Sequence, residues 1–365
     1  MEKNEKMNRL QRGRVVRVYV TAAVFAVLTA LLYGAAELFP AFVDTIYRPV
    51  SRTVTYGLAW AVGWIPTSVA EILLYLLILV AVAALIRLIW VLIRGPRRLR
   101  YLLHFAGWVL LLAALAAFLF VGIWGLNYRA GPLAAEMGLP AQPRYSEELS
   151  ELNTYLAERA NALAAQVERE ADGSVKRVDF QTAAAAVAAE FGRTTGRREA
   201  PVKPILASIP LSYTQVTGIF IPFTAESNVN TNNVAYDLPF VMAHESAHRY
   251  AIAPEDEASF YAFYVLEDAE DPYLAYSVVM AALRSCQNAL YRVDYDAFAD
   301  VWALYSDAVA GDMHAYSEHW DQYEGEVAEV SEHVNNTYLV VQGVTDGVKS
   351  YGRMVDLMLA WYFSR

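Results

Sequence analysis

The pattern of hydrophobic positions changes near residue 127. Before that point lie three long apolar runs, Val18–Ala36, Ile72–Ile93 and Tyr101–Asn127. Each matches the roughly 20 residues that an α-helix needs to cross the hydrocarbon core of a bilayer. The first and third runs hold no Asp, Glu, Lys or Arg, and the second holds only Arg87, near its basic end. The pattern predicts three transmembrane helices and therefore a lipid bilayer as a partner.

Beyond residue 127 the apolar residues recur mostly with helical spacing. The predicted helices are 146–170, 179–191, 272–291, 295–306, 321–342 and 349–364. Asp179 is the predicted N-cap of the second helix, and Gly192 its predicted end. The last helix is expected to pack on the domain rather than form a fourth span, because charged residues interrupt its apolar face. One strand is predicted, the VTGIFIPF segment 216–223, and a polar stretch, 224–233, follows it.

The link between the first two apolar runs differs from them in its high content of aromatic residues. Residues 39–68 are rich in aromatic side chains, among them Tyr47, Tyr56, Trp60 and Trp64. We expect a partly buried segment at the membrane interface with a short helix that lies on the membrane. Whether this helix also supports the domain after residue 127 is left open by the sequence.

Charge divides the chain at the same place. Residues 1–126 hold 13 Lys/Arg and 5 Asp/Glu, a net +8, whereas residues 127–365 hold 16 and 34, a net −18; the two give the total of −10. The basic tail and the basic link between the second and third runs are expected in the cytoplasm by the positive-inside rule. Three crossings then put the acidic part outside.

This topology predicts three parts: a cytoplasmic tail, 1–17; a membrane domain, 18–127; and an extracytoplasmic domain, 128–365. The acidic surplus argues against a nucleic-acid partner. The single cysteine, Cys286, excludes an internal disulfide and a thiolate cluster, so a metal site must use histidines and carboxylates.

One segment carries a chemical pattern. In DLPFVMAHESAHRY, Asp237 is the predicted N-cap of a helix on which His244 and His248 stand at i and i+4. Both imidazoles then project from one face and can bind one Zn²⁺. Glu245, beside the first histidine, can act as general base on a metal-bound water. This is the HExxH pattern of zincins.

A catalytic zinc needs a third protein ligand and one open position. Pro254 interrupts the helical pattern, and the helix predicted after it carries two candidate acids, Glu255 and Glu257. Glu255 shares a helical face with Ala258 and other small residues that permit close packing on the HExxH helix, whereas Glu257 points about 100° away from Ala258. Glu255 is therefore the preferred ligand and Glu257 the alternative. The expected fold class is mainly α: three transmembrane helices, then a helical, gluzincin-type zincin-like domain with a short β element.

The chain resembles a bacterial multi-pass membrane family of unknown function that carries three N-terminal spans, an HExxH helix and then an E-x-E-A element. The matching segments are HESAH at 244–248, EDEASF at 255–260 and NNTYL…GVKSYG within 335–352. This resemblance, over nearly the full length, implies a zinc metallopeptidase. The element Glu255-x-x-Ala258 is also similar to the E-x-x-A-D element of membrane-bound gluzincin peptidases. Ser259 stands where those enzymes usually have Asp, and a hydroxyl orients a histidine ligand less strongly than a carboxylate does.

The expected function is hydrolysis of peptide bonds in a peptide or protein substrate outside the cytoplasmic membrane, with Glu245 as base. The predicted strand is a candidate edge for an extended substrate or else an ordinary core strand. Candidates for stabilising the oxyanion include Tyr338 and Tyr351. The alternative is a non-enzymatic receptor or assembly factor with a structural metal site. A transporter is disfavoured, because the spans offer almost no polar pathway.

Overall fold

The computed structural model describes residues 2–96, 98–140, 145–342 and 353–365, and of residues 2–12 it describes the backbone alone. A π-helical turn covers Val43–Tyr47, and 3₁₀ turns cover Gly125–Arg129 and Ala235–Asp237. The strands are β1 (Lys203–Pro204), β2 (Gly218–Ile221) and β3 (Glu226–Val229). The α-helices are α1 (Glu2–Leu38), α2 (Pro40–Phe42), α3 (Arg48–Val62), α4 (Val69–Arg94), α5 (Arg98–Ile123), α6 (Leu133–Glu136), α7 (Ser146–Ala164), α8 (Phe180–Thr195), α9 (Ser208–Ser212), α10 (Leu238–Arg249), α11 (Glu255–Leu266), α12 (Pro272–Val293), α13 (Tyr295–Trp302), α14 (Asp307–Asp321), α15 (Glu326–Val341) and α16 (Met354–Tyr362). The predicted mainly-α class is confirmed.

Within the described residues, three helices are long and apolar enough to cross a membrane: Gly13–Leu38 in α1, Val69–Arg94 and Arg98–Ile123. They agree with the three predicted runs, although the third ends at Ile123 rather than Asn127, where the chain turns into a 3₁₀ helix. α5 packs against α1 and α4. Most side chains of these helices remain exposed, and such apolar surface suits contact with lipid. The protein is a multi-pass membrane protein.

Helix α3, in the link between the first two spans, has its polar side buried and its apolar side exposed. Arg48 and Thr55 are buried against the domain that follows the spans. On the opposite side Val50 and Val54 are 53% and 39% exposed, and Trp64, just beyond the helix, is 80% exposed. A surface helix of a soluble protein has the reverse arrangement. The expected helix in this link is therefore present, and its position at the membrane interface remains a prediction.

The domain after the spans has one main hydrophobic core. Helix α12 contacts α7 and α10, α11 contacts α10 and α16, and α8 contacts α10 and α11. Large side chains that are fully buried there include Phe191, Met242, Phe260, Phe263 and Tyr276. Helix α16 packs on this core, as expected for a soluble helix, while residues 349–352 of its predicted range lie outside the described residues. The core fixes α10 between other elements on several sides.

A three-stranded sheet lies beside α10, in the order β1-β3-β2. β1 is parallel to β3, and β2 is antiparallel to β3, with Gly218 opposite Val229. The predicted strand 216–223 corresponds to β2, which forms one edge. β3 lies in the stretch 224–233, where no strand was predicted because its residues are polar. All four of its residues are nevertheless buried.

Carboxylates join this sheet to the second candidate span. Glu226 of β3 accepts hydrogen bonds from the backbone N–H groups of Val69 and Ala70, at 2.9 and 2.7 Å. Glu71, in the first turn of the span, accepts backbone N–H groups from residues 206 and 207. A carboxylate is stabilised at a helix N-terminus by the unpaired N–H groups there. The domain therefore sits directly on the start of α4.

Several predicted helix limits are wrong. The helices predicted over 146–170 and 295–306 end at Ala164 and Trp302, and α14 was not predicted. α8 continues past Gly192 and ends at Gly196, whose φ is +69°. Gly192 instead permits a close approach, since a Cβ there would lie 2.7 Å from the carbonyl oxygen of Arg197. The helix predicted over 321–342 is broken before α15, where Gly325 has a φ of +146°.

Candidate metal centre

The HESAH segment lies on α10, and the turn after α10 folds the chain back. Ala251 has a φ of +65°, in the left-handed region where glycine is usual. Its N–H donates to the carbonyl of His248 at 3.0 Å, and the N–H of Ile252 donates to the carbonyl of Ala247 at 3.2 Å. This pair of hydrogen bonds is a Schellman ending. It returns the chain so that α11 starts beside α10.

The start of α10 differs from the prediction. Asp237 occupies the N-cap position, but its carboxylate makes no capping hydrogen bond. It accepts hydrogen bonds from Arg284, at 2.9 Å, and from Asn233, at 3.1 Å. The buried guanidinium draws the carboxylate away from the helix N–H groups, so the predicted side-chain cap is wrong.

Three side chains converge at the contact between α10 and α11. His244 Nε2 lies 3.0 Å from Glu255 Oε2 and 3.1 Å from His248 Nε2, and His248 Nε2 lies 3.3 Å from the same carboxylate oxygen. The structure thus brings Glu255 to the two imidazoles. Glu257 lies elsewhere: its carboxylate accepts the backbone N–H of Leu133 at 2.8 Å. Among the residues described, this is the one group of three or more His, Cys, Asp or Glu side chains placed to hold a metal ion.

The outer nitrogens of both imidazoles have partners. His248 Nδ1 lies 2.8 Å from the carbonyl oxygen of Ile252, which can only accept, so Nδ1 carries the proton and donates. His244 Nδ1 lies 3.1 Å from Ser259 Oγ, the residue predicted to orient a histidine. When both Nδ1 atoms donate, both Nε2 lone pairs point at Glu255. Metal-binding histidines are commonly oriented by such bonds.

The spacing of these three atoms fits a zinc ion. Zinc–ligand bonds of about 2.0–2.1 Å at tetrahedral angles place neighbouring ligand atoms roughly 3.3 Å apart. The observed separations are 3.0, 3.1 and 3.3 Å. Two imidazole lone pairs and a carboxylate at this range repel one another unless a proton or a cation lies among them. The donor set, two nitrogens and one oxygen, is one that zinc accepts.

The charges of these groups are strongly coupled. Burial opposes a charge on His248, but the adjacent Glu255 carboxylate raises its pKa to about 9. Burial also disfavours the ionised form of Glu255, yet the two imidazoles hold its pKa well below the usual range. Burial lowers the pKa of His244. Without a metal ion, the proton on His248 Nε2 pairs with the ionised Glu255 carboxylate, and a bound cation would take the place of that proton.

Glu245, the predicted base, is buried between α10 and β2. Its side chain packs against Gly218, where a Cβ would lie 2.6 Å from Glu245 Oε1. The backbone of Phe220 hydrogen-bonds its carboxylate, while Oε2 is buried without a partner. Burial raises the pKa of Glu245 to about 8. A carboxylate of this kind can both accept and return a proton near neutral pH.

Of the two candidate tyrosines, Tyr338 lies within the described residues. Tyr338, on α15, has its ring 6.0 Å from that of Tyr128 and 6.5 Å from that of Phe120. Burial, with the charge of Glu255 nearby, raises its pKa to about 12. Tyr338 is therefore a neutral phenol, able to donate a hydrogen bond. Tyr351 lies outside the described residues.

Residues far along the sequence hold the end of α10, and sequence reasoning missed them. Three consecutive carbonyls, of residues 248, 249 and 250, accept side-chain hydrogen bonds from Trp124, Thr55 and Arg52, at 2.9, 3.0 and 2.9 Å. The three donors belong to the membrane half of the chain. The aromatic content of the link was the only sequence signal that pointed to this region. Gly218 was also missed, although it interrupts an otherwise bulky strand.

Fold and site together define a mainly helical multi-pass membrane protein with a buried His/His/Glu cluster. A family model described as "Protein of unknown function (DUF3810)" matches residues 42–359, so the chain belongs to this family. The match includes the second and third candidate spans and all three residues of the cluster. No curated protein and no solved structure matches the chain significantly.

Proposed function

We propose that this protein is a membrane-anchored, zinc-dependent peptidase that hydrolyses peptide bonds outside the cytoplasmic membrane. The observation that carries the proposal is the triangle formed by His244 Nε2, His248 Nε2 and Glu255 Oε2, with sides of 3.0–3.3 Å, beside the buried carboxylate of Glu245. Those three residues would hold the metal. When bound, zinc supplies a Lewis acid that acidifies water and polarises a carbonyl.

Glu245 is the proton carrier of the proposed reaction. It takes a proton from the attacking water, whose oxygen bonds to the carbonyl carbon of the substrate, and gives a proton to the amine as the C–N bond breaks. The products are a carboxylic acid and an amine, so atoms balance without a further reactant. Ser259 and the carbonyl of Ile252 keep the two histidines in orientation.

The substrate would bind as an extended chain. β2 is an edge of the sheet, and the backbone of its Phe220 already reaches the Glu245 carboxylate. A peptide added to that edge would pass beside Glu245 by β-augmentation. Tyr338 is the candidate donor to the oxyanion, because its ring packs on Tyr128 and Phe120, which both contact Trp124 beside His248. The basic clusters at residues 3–17 and 94–100 support a cytoplasmic N-terminus and an external domain.

Metal analysis of purified full-length protein tests the site directly. Wild type is expected to carry about one zinc per chain, Glu245→Gln to keep it and His248→Ala to lose it. A wild type without zinc would refute the proposal.

Activity is tested on a degenerate peptide library, with cleavage followed by mass spectrometry. Wild type should cleave, and zinc-loaded Glu245→Gln should be slower by roughly 10²–10⁴-fold, the usual worth of a general base. If zinc-loaded wild type and Glu245→Gln are equally inactive on every peptide, the alternative of a receptor or assembly factor with a structural metal is favoured.

A further inference from the structure

Helix α3 separates the candidate site from a surface that suits lipid. Its exposed side carries Val50 and Val54, and its buried side touches the end of the HExxH helix through Thr55 Oγ1, 3.0 Å from the carbonyl oxygen of Arg249. Arg52 adds a hydrogen bond to the carbonyl of Tyr250 and lies over its ring, 4.2 Å from the centroid. An α-helix is about 10–12 Å across with its side chains. One helix therefore separates the metal-binding helix from the apolar outer face.

The end of the third span touches the site from a second direction. Trp124 directly follows Ile123, the last residue of α5. Its indole N–H donates to the carbonyl of His248, and its ring lies 6.2 Å from the imidazole of the same residue. Trp124 is buried, so this contact is part of the packed interior.

The proposed substrate edge meets the same tryptophan. The ring of Phe220, on β2, lies 5.4 Å from the ring of Trp124. Ile219 and Phe223, on the same segment, are exposed. A substrate bound along this edge would therefore meet apolar side chains. His248 and the strand thus share one neighbour, and that neighbour directly follows the last residue of a candidate membrane span.

We infer that the natural substrate is a polypeptide anchored in the same membrane and cut in the stretch that directly follows its anchor. The inference rests on the proposed peptidase function and adds the substrate class. The width of α3, about 10–12 Å with its side chains, together with the 3.0 Å contact between Thr55 and Arg249, puts the end of the HExxH helix roughly 10–15 Å from the apolar outer face. An extended chain advances about 3.3–3.6 Å per residue, so some three to five residues span that distance. Bonds within about ten residues of the anchor are therefore the ones that reach the site.

The test uses full-length protein in liposomes and two sets of polypeptide probes. One set carries a single apolar helix of about 20 residues, followed by a disordered, degenerate 60-residue tail. The other set has the tail alone. Mass spectrometry maps each cut, and Glu245→Gln in identical liposomes corrects for contaminating proteases. Near and far bonds of one anchored tail share the same anchor, so their comparison removes most of the effect of local concentration.

Cuts within about the first ten residues of the tail are expected at least tenfold faster than cuts beyond residue 40, with the free tails slower at every position. Cuts spread evenly along the anchored tails, or free tails cleaved as fast as anchored ones, would overturn the inference and leave the peptidase proposal standing. If zinc-loaded wild type cuts neither set, both fail.

Discussion

Trp124 Nε1 donates a hydrogen bond of 2.9 Å to the carbonyl oxygen of His248, so the residue after the third candidate span holds the backbone of the second histidine. The two residues are 124 positions apart in the chain. The next two carbonyls of the same helix end are held by Thr55 and Arg52, from the link between the first two spans. The membrane half therefore stabilises the site as well as anchoring it.

Replacing Trp124 tests this coupling. Trp124→Phe keeps an aromatic ring but removes the hydrogen bond to His248. The carbonyl of His248 keeps a partner, because it also accepts the N–H of Ala251. We therefore expect the free energy of unfolding to fall by only about 1 kcal/mol. Thermal unfolding of the full-length protein in detergent measures it. Trp64→Phe, at an exposed position, is the matched control and should unfold like wild type; equal losses in both variants would contradict the coupling.

The choice of third ligand is tested by a pair of conservative variants. Glu255→Gln should lower zinc occupancy strongly, since a neutral amide is a poor zinc ligand. Glu257→Gln should keep one zinc per chain, because its carbonyl oxygen can still accept the N–H of Leu133. Zinc is measured after dialysis at equal protein concentration. Loss of zinc from the second variant alone would reverse the assignment.

Ser259 is expected to tune the affinity for zinc. Ser259→Ala leaves His244 Nδ1 without its 3.1 Å partner, so the ring loses an orienting hydrogen bond. Loss of such a partner typically costs 10–100-fold in metal affinity, and a hydroxyl should lie near tenfold. Competition with a chelator gives the dissociation constant. Ser246→Ala is the control, as that hydroxyl bonds only the preceding turn of its own helix; similar affinities for both variants would rule out the role.

The sequence predicted the elements whose evidence is local. The three spans follow from long apolar runs, and the two histidines of α10 follow from helical spacing. The preference for Glu255 over Glu257 as the third ligand came from helical faces and small residues. The structure places Glu255 beside the histidines, and its role as a ligand stays a prediction. Each of these needs only residues close in the chain.

The parts that were missed depend on distant contacts. β3 looked like a polar loop because its polar groups could not be matched to partners elsewhere: Glu226 bonds the start of the second span, and the hydroxyl of Ser227 bonds the carbonyl of Glu245. The carboxylate of Asp237 suggested a helix cap, but Arg284, 47 residues later, binds it instead. Burial of paired polar groups is invisible to a hydropathy pattern.

Gly218 gives the sharpest test of how Glu245 is positioned. In Gly218→Ala the new Cβ would lie 2.6 Å from Glu245 Oε1 and 2.7 Å from its Cγ, so the carboxylate must move. The histidines and Glu255 are untouched, so zinc should stay at one per chain. A displacement near 1 Å at a reacting group can cost about 10²-fold in rate, and we expect a loss of that order in peptide cleavage. Gly311→Ala is the control, because nothing lies within 4 Å of its added Cβ. Full activity in Gly218→Ala would show that Glu245 does not depend on this strand, whereas loss of zinc would show that the strand supports the metal rather than the base.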